Sequence, residues 1–284
     1  MWKNVKNLVS KTGTINRGNV KLSAKIEKMF NHIYCMDCLA LMKQLPDEAV
    51  DLILTDPPYG ISYQNQFTNH RHAVLEGDSG IPYEEFAKEC YRILKDDTHA
   101  YFFTRFDCYP HHYECLKKAG FTVKNCMVIE KGTVGGIGDL KGSFANNAEW
   151  IIFCQKGRRV FNHTKLLENK KKAGLFYRRG RNEPSQKYKT RFNACWFGED
   201  YPKATYNSMW QKQNGIYHPT IKNVACLSWL IQISSLPGEL IFDGFMGTGS
   251  TVLAARQTGR NYLGAEIDPG YFQIIQKRLK EQEV

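Results

Sequence analysis

Several things are missing from this sequence. It has no run of about eighteen apolar residues, so neither a spanning helix nor a membrane partner is expected. The stretch MWKNVKNLVSKTGTINRGNV has no apolar segment of the secretory type, so a cytoplasmic location is expected. A second cysteine pair is absent too. Of nine cysteines only Cys35 and Cys38 have C-x-x-C spacing, and no histidine pair completes a zinc set, so no metal is expected. Cys90, Cys126, Cys154 and Cys226 fall inside apolar strand or helix patterns and read as small buried hydrophobes in a reducing compartment. No Gly-Lys-Ser/Thr follows the glycine-rich turns, which excludes a phosphate-binding P-loop. No internal repeat is found.

What is present is positive charge, unevenly placed. The 284 residues carry a formal +11. Residues 156–191 hold thirteen Lys and Arg against two acids, which accounts for the whole excess. Residues 1–28 add seven basic groups against one acid, so the remaining chain is acidic. In the basic stretch aromatics are interleaved: Phe161, Phe176, Tyr177, Tyr188 and Phe192. Charge spread for solubility would be scattered; this concentration suits a polyanion such as nucleic acid. At 42% hydrophobic the chain is too apolar for disorder, and its length suits one large domain or a domain with an insert.

Around the basic stretch, strand and helix patterns alternate. The pattern predicts helices over 39–45, 82–94, 110–119, 221–235 and 250–258, with Asp268 and Pro269 starting a last one. Strands are predicted over 50–55, 98–104, 121–130, 149–155, 239–243 and 261–266. Such alternation argues for an α/β, doubly wound, mostly parallel sheet covered on both faces. Roughly 156–216 interrupts it.

Two loops carry chemistry. Asp56-Pro57-Pro58-Tyr59 follows the apolar run Val50–Leu54, at a strand end where open α/β sheets place ligands. Two prolines remove two N–H donors and stiffen the rim, leaving a carboxylate, carbonyls and an aromatic face. That set accepts hydrogen bonds, which suits an –NH2 group. Tyr59 can stack on a planar base. The second loop is Asp243-Gly244-Phe245-Met246-Gly247-Thr248-Gly249, between strand and helix, where glycines admit a ligand to the backbone. Glu266 ends the next strand and can accept from ribose hydroxyls. A nucleoside-bearing cofactor without a phosphate tail, next to an amine-accepting site, points to S-adenosyl-L-methionine.

Taken together these motifs resemble the amino methyltransferases of DNA, in the β arrangement, where the catalytic motif precedes the cofactor motif. Asp56 to Tyr59 is similar to the family's D-P-P-Y, and Tyr34-Cys35-Met36-Asp37-Cys38-Leu39 to the element before it. Phe245, Gly247 and Gly249 match F-x-G-x-G, and His218-Pro219-Thr220-Ile221-Lys222 resembles H-P-T-x-K-P. Asn147-Ala148-Glu149 also resembles the family's pattern before the insert. The chain departs at Asn223, where the family has Pro, and at Gly244, where it has Asp-Pro-Phe.

The resemblance implies a Rossmann-like sheet of seven strands with a terminal antiparallel strand. It implies a basic arm at 1–30, a catalytic half at 31–155, a target-recognition insert at 156–216 and a cofactor half at 217–284. Its implied catalytic residues are Asp56, Pro57, Pro58 and Tyr59. Asp37, Cys38, His218, Thr220, Lys222, Asp243, Phe245, Gly247, Thr248, Gly249, Ser250, Glu266 and Ile267 would bind the cofactor. Arg158, Arg159, Lys170, Lys171, Lys172, Arg178, Arg179, Arg181, Lys187, Lys189 and Arg191 would contact double-stranded DNA, with Phe67, His70, Arg71 and His72 closing over a flipped base. A homodimer and a cognate restriction endonuclease are further partners the family suggests. The implied reaction is methylation of adenine N6. The rivals are N4-cytosine, for which the family tends to have Ser where Asp56 stands, RNA or protein glutamine, and a non-catalytic DNA-binding subunit. If about six phosphates are neutralised, log–log plots of DNA affinity against salt should slope at about −5. Fluorescence anisotropy would measure this; a slope near zero would count against the insert as the DNA surface.

Overall fold

A computed structural model describes residues 26–59, 81–131, 142, 144, 147–162, 192, 194–196 and 221–281. Within them eight strands form one sheet: β1 (His32–Cys35), β2 (Val50–Thr55), β3 (Leu94–Thr104), β4 (Thr122–Glu130), β5 (Ala148–Lys156), β6 (Cys195–Trp196), β7 (Leu240–Asp243) and β8 (Asn261–Glu266). Their order is β1-β8-β7-β2-β3-β5-β4-β6. The helices are α1 (Cys38–Met42), α2 (Tyr83–Ile93), α3 (Tyr109–Ala119), α4 (Val224–Ser234), α5 (Ser250–Gln257) and α6 (Pro269–Glu281).

The sequence of β2, VDLILT, is nearly all apolar because both of its faces are covered. Successive side chains alternate between faces. Ile53, Phe102, Ile152 and Phe242 point to one face, where α1, α2 and α3 supply Leu41, Phe86, Cys90 and Leu116. Leu52, Leu54, Tyr101 and Ile241 point to the other, where α4, α5 and α6 supply Leu230, Val252 and Ile275. Helix α2 has Glu84 and Glu85 in its first turn and Arg92 in its last, each complementing the helix dipole. It ends one residue earlier than its apolar spacing predicts. Leu94 leaves the helix to open β3, buried beside Val50 of β2. Gly120 closes α3 at φ +111°, and a Cβ there would press on the Tyr91 ring at 2.9 Å.

Strands β1, β8, β7, β2 and β3 are parallel. From β2 the chain proceeds through α2 to β3 on one side. From β7 it proceeds through α5 to β8 on the other. The order therefore reverses between β2 and β7, and the crevice beyond their C-terminal ends is the place where such sheets bind ligands.

Two features differ from the expected seven-stranded sheet. The eighth strand is β6, from the stretch 156–216. It pairs parallel with β4 through Val128–Cys195 and Ile129–Trp196. Trp196 drives this pairing: it is 1% exposed and packs edge-on against Trp229 at 4.6 Å. The antiparallel strand is also not terminal. It is β5, paired antiparallel with β3 on one side and β4 on the other. Its reversal brings Ala148 and Glu149 to the edge where β2, β3 and β4 end. Strand β1, too short and half-exposed to show a period, is a further element the sequence pattern did not predict. The described residues of the expected insert are packed into the fold. The Asn162 N–H donates to the Ile233 carbonyl at 2.8 Å, and the Phe161 and Phe192 rings meet edge-on at 5.5 Å.

Gly264 lies opposite Asp243 in the β7–β8 pairing, and a Cβ there would overlap the Asp243 carbonyl oxygen and Met246 Cε. Gly264→Ala should cost about 2–3 kcal/mol by overpacking a rigid backbone contact. Urea unfolding measures this; an unchanged midpoint would refute the close approach.

Candidate active site

Asp56 is the first residue past β2. Its Oδ1 accepts from the Tyr59 hydroxyl, three residues on, a contact that the double proline sets by fixing the intervening backbone. Its Oδ2 meets the Lys222 ammonium at 2.9 Å. Lys222 reaches in from the segment before α4 and also donates to Glu149 Oε2 at 3.0 Å, while Glu149 Oε1 meets Lys131 Nζ at 3.1 Å. The Phe103 ring lies beneath the Lys222 ammonium at 4.7 Å. Burial pushes the Glu149 carboxyl up, but the Lys222 and Lys131 ammoniums outweigh it and hold the group below its ordinary value. Burial pulls Lys222 down, but Asp56 and Glu149 outweigh it and hold the ammonium above the usual lysine range.

Asp243 ends β7 beside Asp56. Its Oδ1 accepts from Thr55 Oγ1 at 2.8 Å and from the Phe245 N–H at 3.0 Å. Burial, with the Asp56 charge adding, pushes its carboxyl up to about 6 against the Thr251 hydroxyl and those two hydrogen bonds. In the glycine loop, Gly247 and Gly249 take φ +53° and +84°, and a Cβ on Gly249 would meet Ile275 Cγ2 at 2.8 Å. The Ser250 hydroxyl that follows is buried with no hydrogen-bond partner among the described residues. Glu266 ends β8 with Oε2 on the Gly247 N–H at 2.6 Å and Oε1 on the Asp268 N–H at 2.9 Å. Burial raises it to about 7, with the Asp268 and Asp243 charges adding and the two N–H groups opposing.

The fold brings together most of the residues that sequence singled out here. Asp56, Lys222, Asp243, Phe245, Gly247, Thr248 and Ser250 line one cleft, and Glu266 is bonded to its glycine loop. Asp37 sits one strand further along the same edge, exposed, where its Oδ1 caps α1 through the Ala40 N–H at 2.9 Å. Ile267, 46% exposed, follows Glu266. Cys38 is different: its side chain is buried in the core against Gly244, and burial pushes its thiol up. Lys222 reaches the Asp56 carboxylate, although its motif resemblance implied closure over the cofactor. The structure does not bring Arg158 and Arg159 to this edge. They follow β5 at its far end, where the Arg158 N–H bonds Asp97 and Arg159 pairs with Glu239 at 2.9 Å. His218, Thr220, Lys170, Lys171, Lys172, Arg178, Arg179, Arg181, Lys187, Lys189 and Arg191 lie outside the described residues, as do Phe67, His70, Arg71 and His72.

No local pattern in the sequence assigns a role to Lys131 or to Glu149. The available signal was an acid at the head of the apolar strand EWIIFC, a costly position for a charge without a partner. Among the described residues no group of three or more His, Cys, Asp or Glu could hold a metal ion, and no helix is long and apolar enough to cross a membrane.

Comparison with known proteins settles the family. The model of the N6/N4 family, described as DNA methylase, matches residues 50–277. The chain belongs to this family of DNA methylases. The DNA adenine methyltransferase YhdJ of Escherichia coli K12 is 32% identical over 251 residues, spanning 86% of this chain and 80% of that protein. Among solved structures, the M1.HpyAVI-SAM complex is similar in fold at a TM-score of 0.57 and 21% identity, covering 87% of this chain and 98% of that one. The PvuII DNA methyltransferase (cytosine-N4-specific) is similar at a TM-score of 0.60 and 17% identity, covering 87% and 85%.

The raised Glu266 has a measurable consequence in this methylase. Its ordinary value is 4.5, and in the folded chain it is about 7. Between these the folded state binds the proton more tightly, so the group's contribution to stability is full below the lower value and is lost as pH rises toward the upper. The non-ionising variant Glu266→Gln should therefore gain melting temperature relative to the parent chain between about pH 5 and about pH 8. A gap that stays constant with pH would rule out the shifted carboxylate.

Proposed function

We propose that the protein transfers a methyl group from S-adenosyl-L-methionine to the N6 amino group of adenine in double-stranded DNA. The observation that carries this is the Asp56 carboxylate, held by two partners at the β2–β7 crevice beside a glycine loop that ends in an orphaned hydroxyl.

The residues present fit the cofactor. Glu266 offers carboxylate oxygens to ribose hydroxyls. Gly247 and Gly249 leave the backbone bare. The Ser250 hydroxyl, buried and without a partner among the described residues, is free to bond a polar ligand in the cleft. Asp37 and Ile267 flank Glu266 with an acceptor for an amino group and an apolar face for a planar base. When bound, the cofactor supplies an electrophilic methyl group on a sulfonium centre.

The chain's own residues prepare the amine. The target base leaves the stack, because its amino group is otherwise paired. Asp56 Oδ1 and the Pro57 carbonyl accept its two N–H groups, which turns the nitrogen lone pair out of the ring's conjugation. Pro58 keeps that rim rigid and free of donors. The base's amino group takes the place of the Tyr59 hydroxyl on Oδ1, and the freed Tyr59 ring stacks on the base. No residue forms a covalent bond to substrate, so alignment supplies much of the rate; well-oriented groups can provide up to about 7–11 kcal/mol.

Adenine is favoured by the acid at Asp56 and by the relative named an adenine methyltransferase. The second reading is cytosine N4, where the amine is chemically equivalent and a similar fold bears that name. Asp56→Ala should keep cofactor binding within about twofold by calorimetry and lose turnover by about 100-fold or more. The reaction on unmethylated DNA, digested to nucleosides and read by mass spectrometry, should yield N6-methyladenine. N4-methylcytosine would correct the base, and Asp56→Ala retaining parental turnover would sink the mechanism.

A further inference from the structure

The Asp56 carboxylate stands at one end of a row of four alternating charges. Lys222 Nζ lies 2.9 Å from Asp56 Oδ2 and 3.0 Å from Glu149 Oε2, and Lys131 Nζ lies 3.1 Å from Glu149 Oε1. The row crosses the catalytic edge strand by strand. Asp56 follows β2, Lys222 rests over Phe103 of β3 at 4.7 Å, Glu149 is the second residue of β5, and Lys131 follows β4. Only because β5 runs antiparallel does its first turn of chain reach this edge. The middle of the row is shielded: the Lys222 and Glu149 side chains are 12% and 15% exposed.

A lysine on a four-carbon stem is a mobile point charge. Held by one carboxylate alone it would hold that carboxylate loosely in return. Here a second carboxylate, on a different strand and itself tied by Lys131, fixes the ammonium from the far side. The two Asp56 oxygens are thereby made unequal. Oδ2 bears an ammonium held from the far side by Glu149 of β5, whereas Oδ1 bears the Tyr59 hydroxyl, which a side-chain rotation releases.

We propose that Lys222 and Glu149 are positioning residues for methyl transfer, with Glu149 holding the Lys222 ammonium on Asp56 Oδ2 so that Oδ1 faces the target amine. This rests on the reading of Asp56 as the amine acceptor. It assigns Lys222 to the orientation of the catalytic carboxylate, not to the grip on the cofactor.

The full-length chain tests it, with DNA from a methylation-deficient host and saturating cofactor. Glu149→Gln should lower kcat by about 100-fold, the scale of a misplaced reacting group, and leave the cofactor Kd within about twofold. Glu149→Asp should recover part of that loss. In a Lys222→Met background, Glu149→Gln should add no further loss, because the two act through one contact to Asp56. A rise in cofactor Kd with kcat intact, or independent losses that multiply, would overturn the proposal. If Glu149→Gln does not fold, Lys222→Met and Lys222→Arg carry the same kcat-against-Kd test. Asp56→Ala separates the two levels. Parental turnover there would defeat the acceptor reading itself, whereas loss there with kcat intact in Glu149→Gln would defeat only the positioning row.

Discussion

The pairing of β2 with β7 is the contact on which everything else in this molecule depends. Leu52 lies against Ile241 and Ile53 against Phe242, joining residues that are far apart in the chain. Each strand is the innermost of its half of the sheet. Their union makes the crevice, sets Asp56 beside Asp243, and is sealed at its open end by the Thr55 hydroxyl on Asp243. Without it the Asp56 loop and the glycine loop would belong to separate units. With it, a carboxylate and a ligand-admitting backbone share one cleft.

Gathering acids at one edge has an electrostatic cost, and the fold meets it in two ways. Asp56 and Glu149 are balanced by ammonium groups, which keep Glu149 below its ordinary value despite burial. Asp243 and Glu266 have no ammonium or guanidinium partner among the described residues. They rely on backbone N–H groups and the hydroxyls of Thr55 and Thr251, and burial raises both to between about 6 and about 7. The division follows the proposed roles: the ion-paired side is the one assigned to the amine, and the side held by neutral donors is the one assigned to the cofactor.

The two chemical loops were legible because each combines rare residue types with a strand end. Asp-Pro-Pro-Tyr after VDLILT and Gly-x-Gly after LIFD announce themselves through backbone chemistry that is local in sequence. The row of charges that ends at Asp56 was not legible in the same way. Glu149 and Lys131 matter because β5 is antiparallel, and no local periodicity encodes strand direction. The same limit explains the missed eighth strand: two residues, Cys195 and Trp196, have no period, and only the burial of Trp196 against Trp229 makes them a strand. Arg158 and Arg159 belong to the basic stretch by proximity in sequence, but a nine-residue strand separates them from the edge that bears Asp56.

The sheet's centre is also what the ribosome completes late. β2 emerges early, its β3 side is filled soon after, and its other side faces solvent until β7 is made. At about 5–20 residues per second, that wait lasts roughly 10–40 s. During it the nascent chain presents Leu52, Ile53 and Leu54 along an unpaired edge, the kind of surface that templates association between chains. The long basic stretch is synthesised within this interval. Its charge gives the unfinished chain a strong like-charge repulsion at the moment when its apolar edge is open.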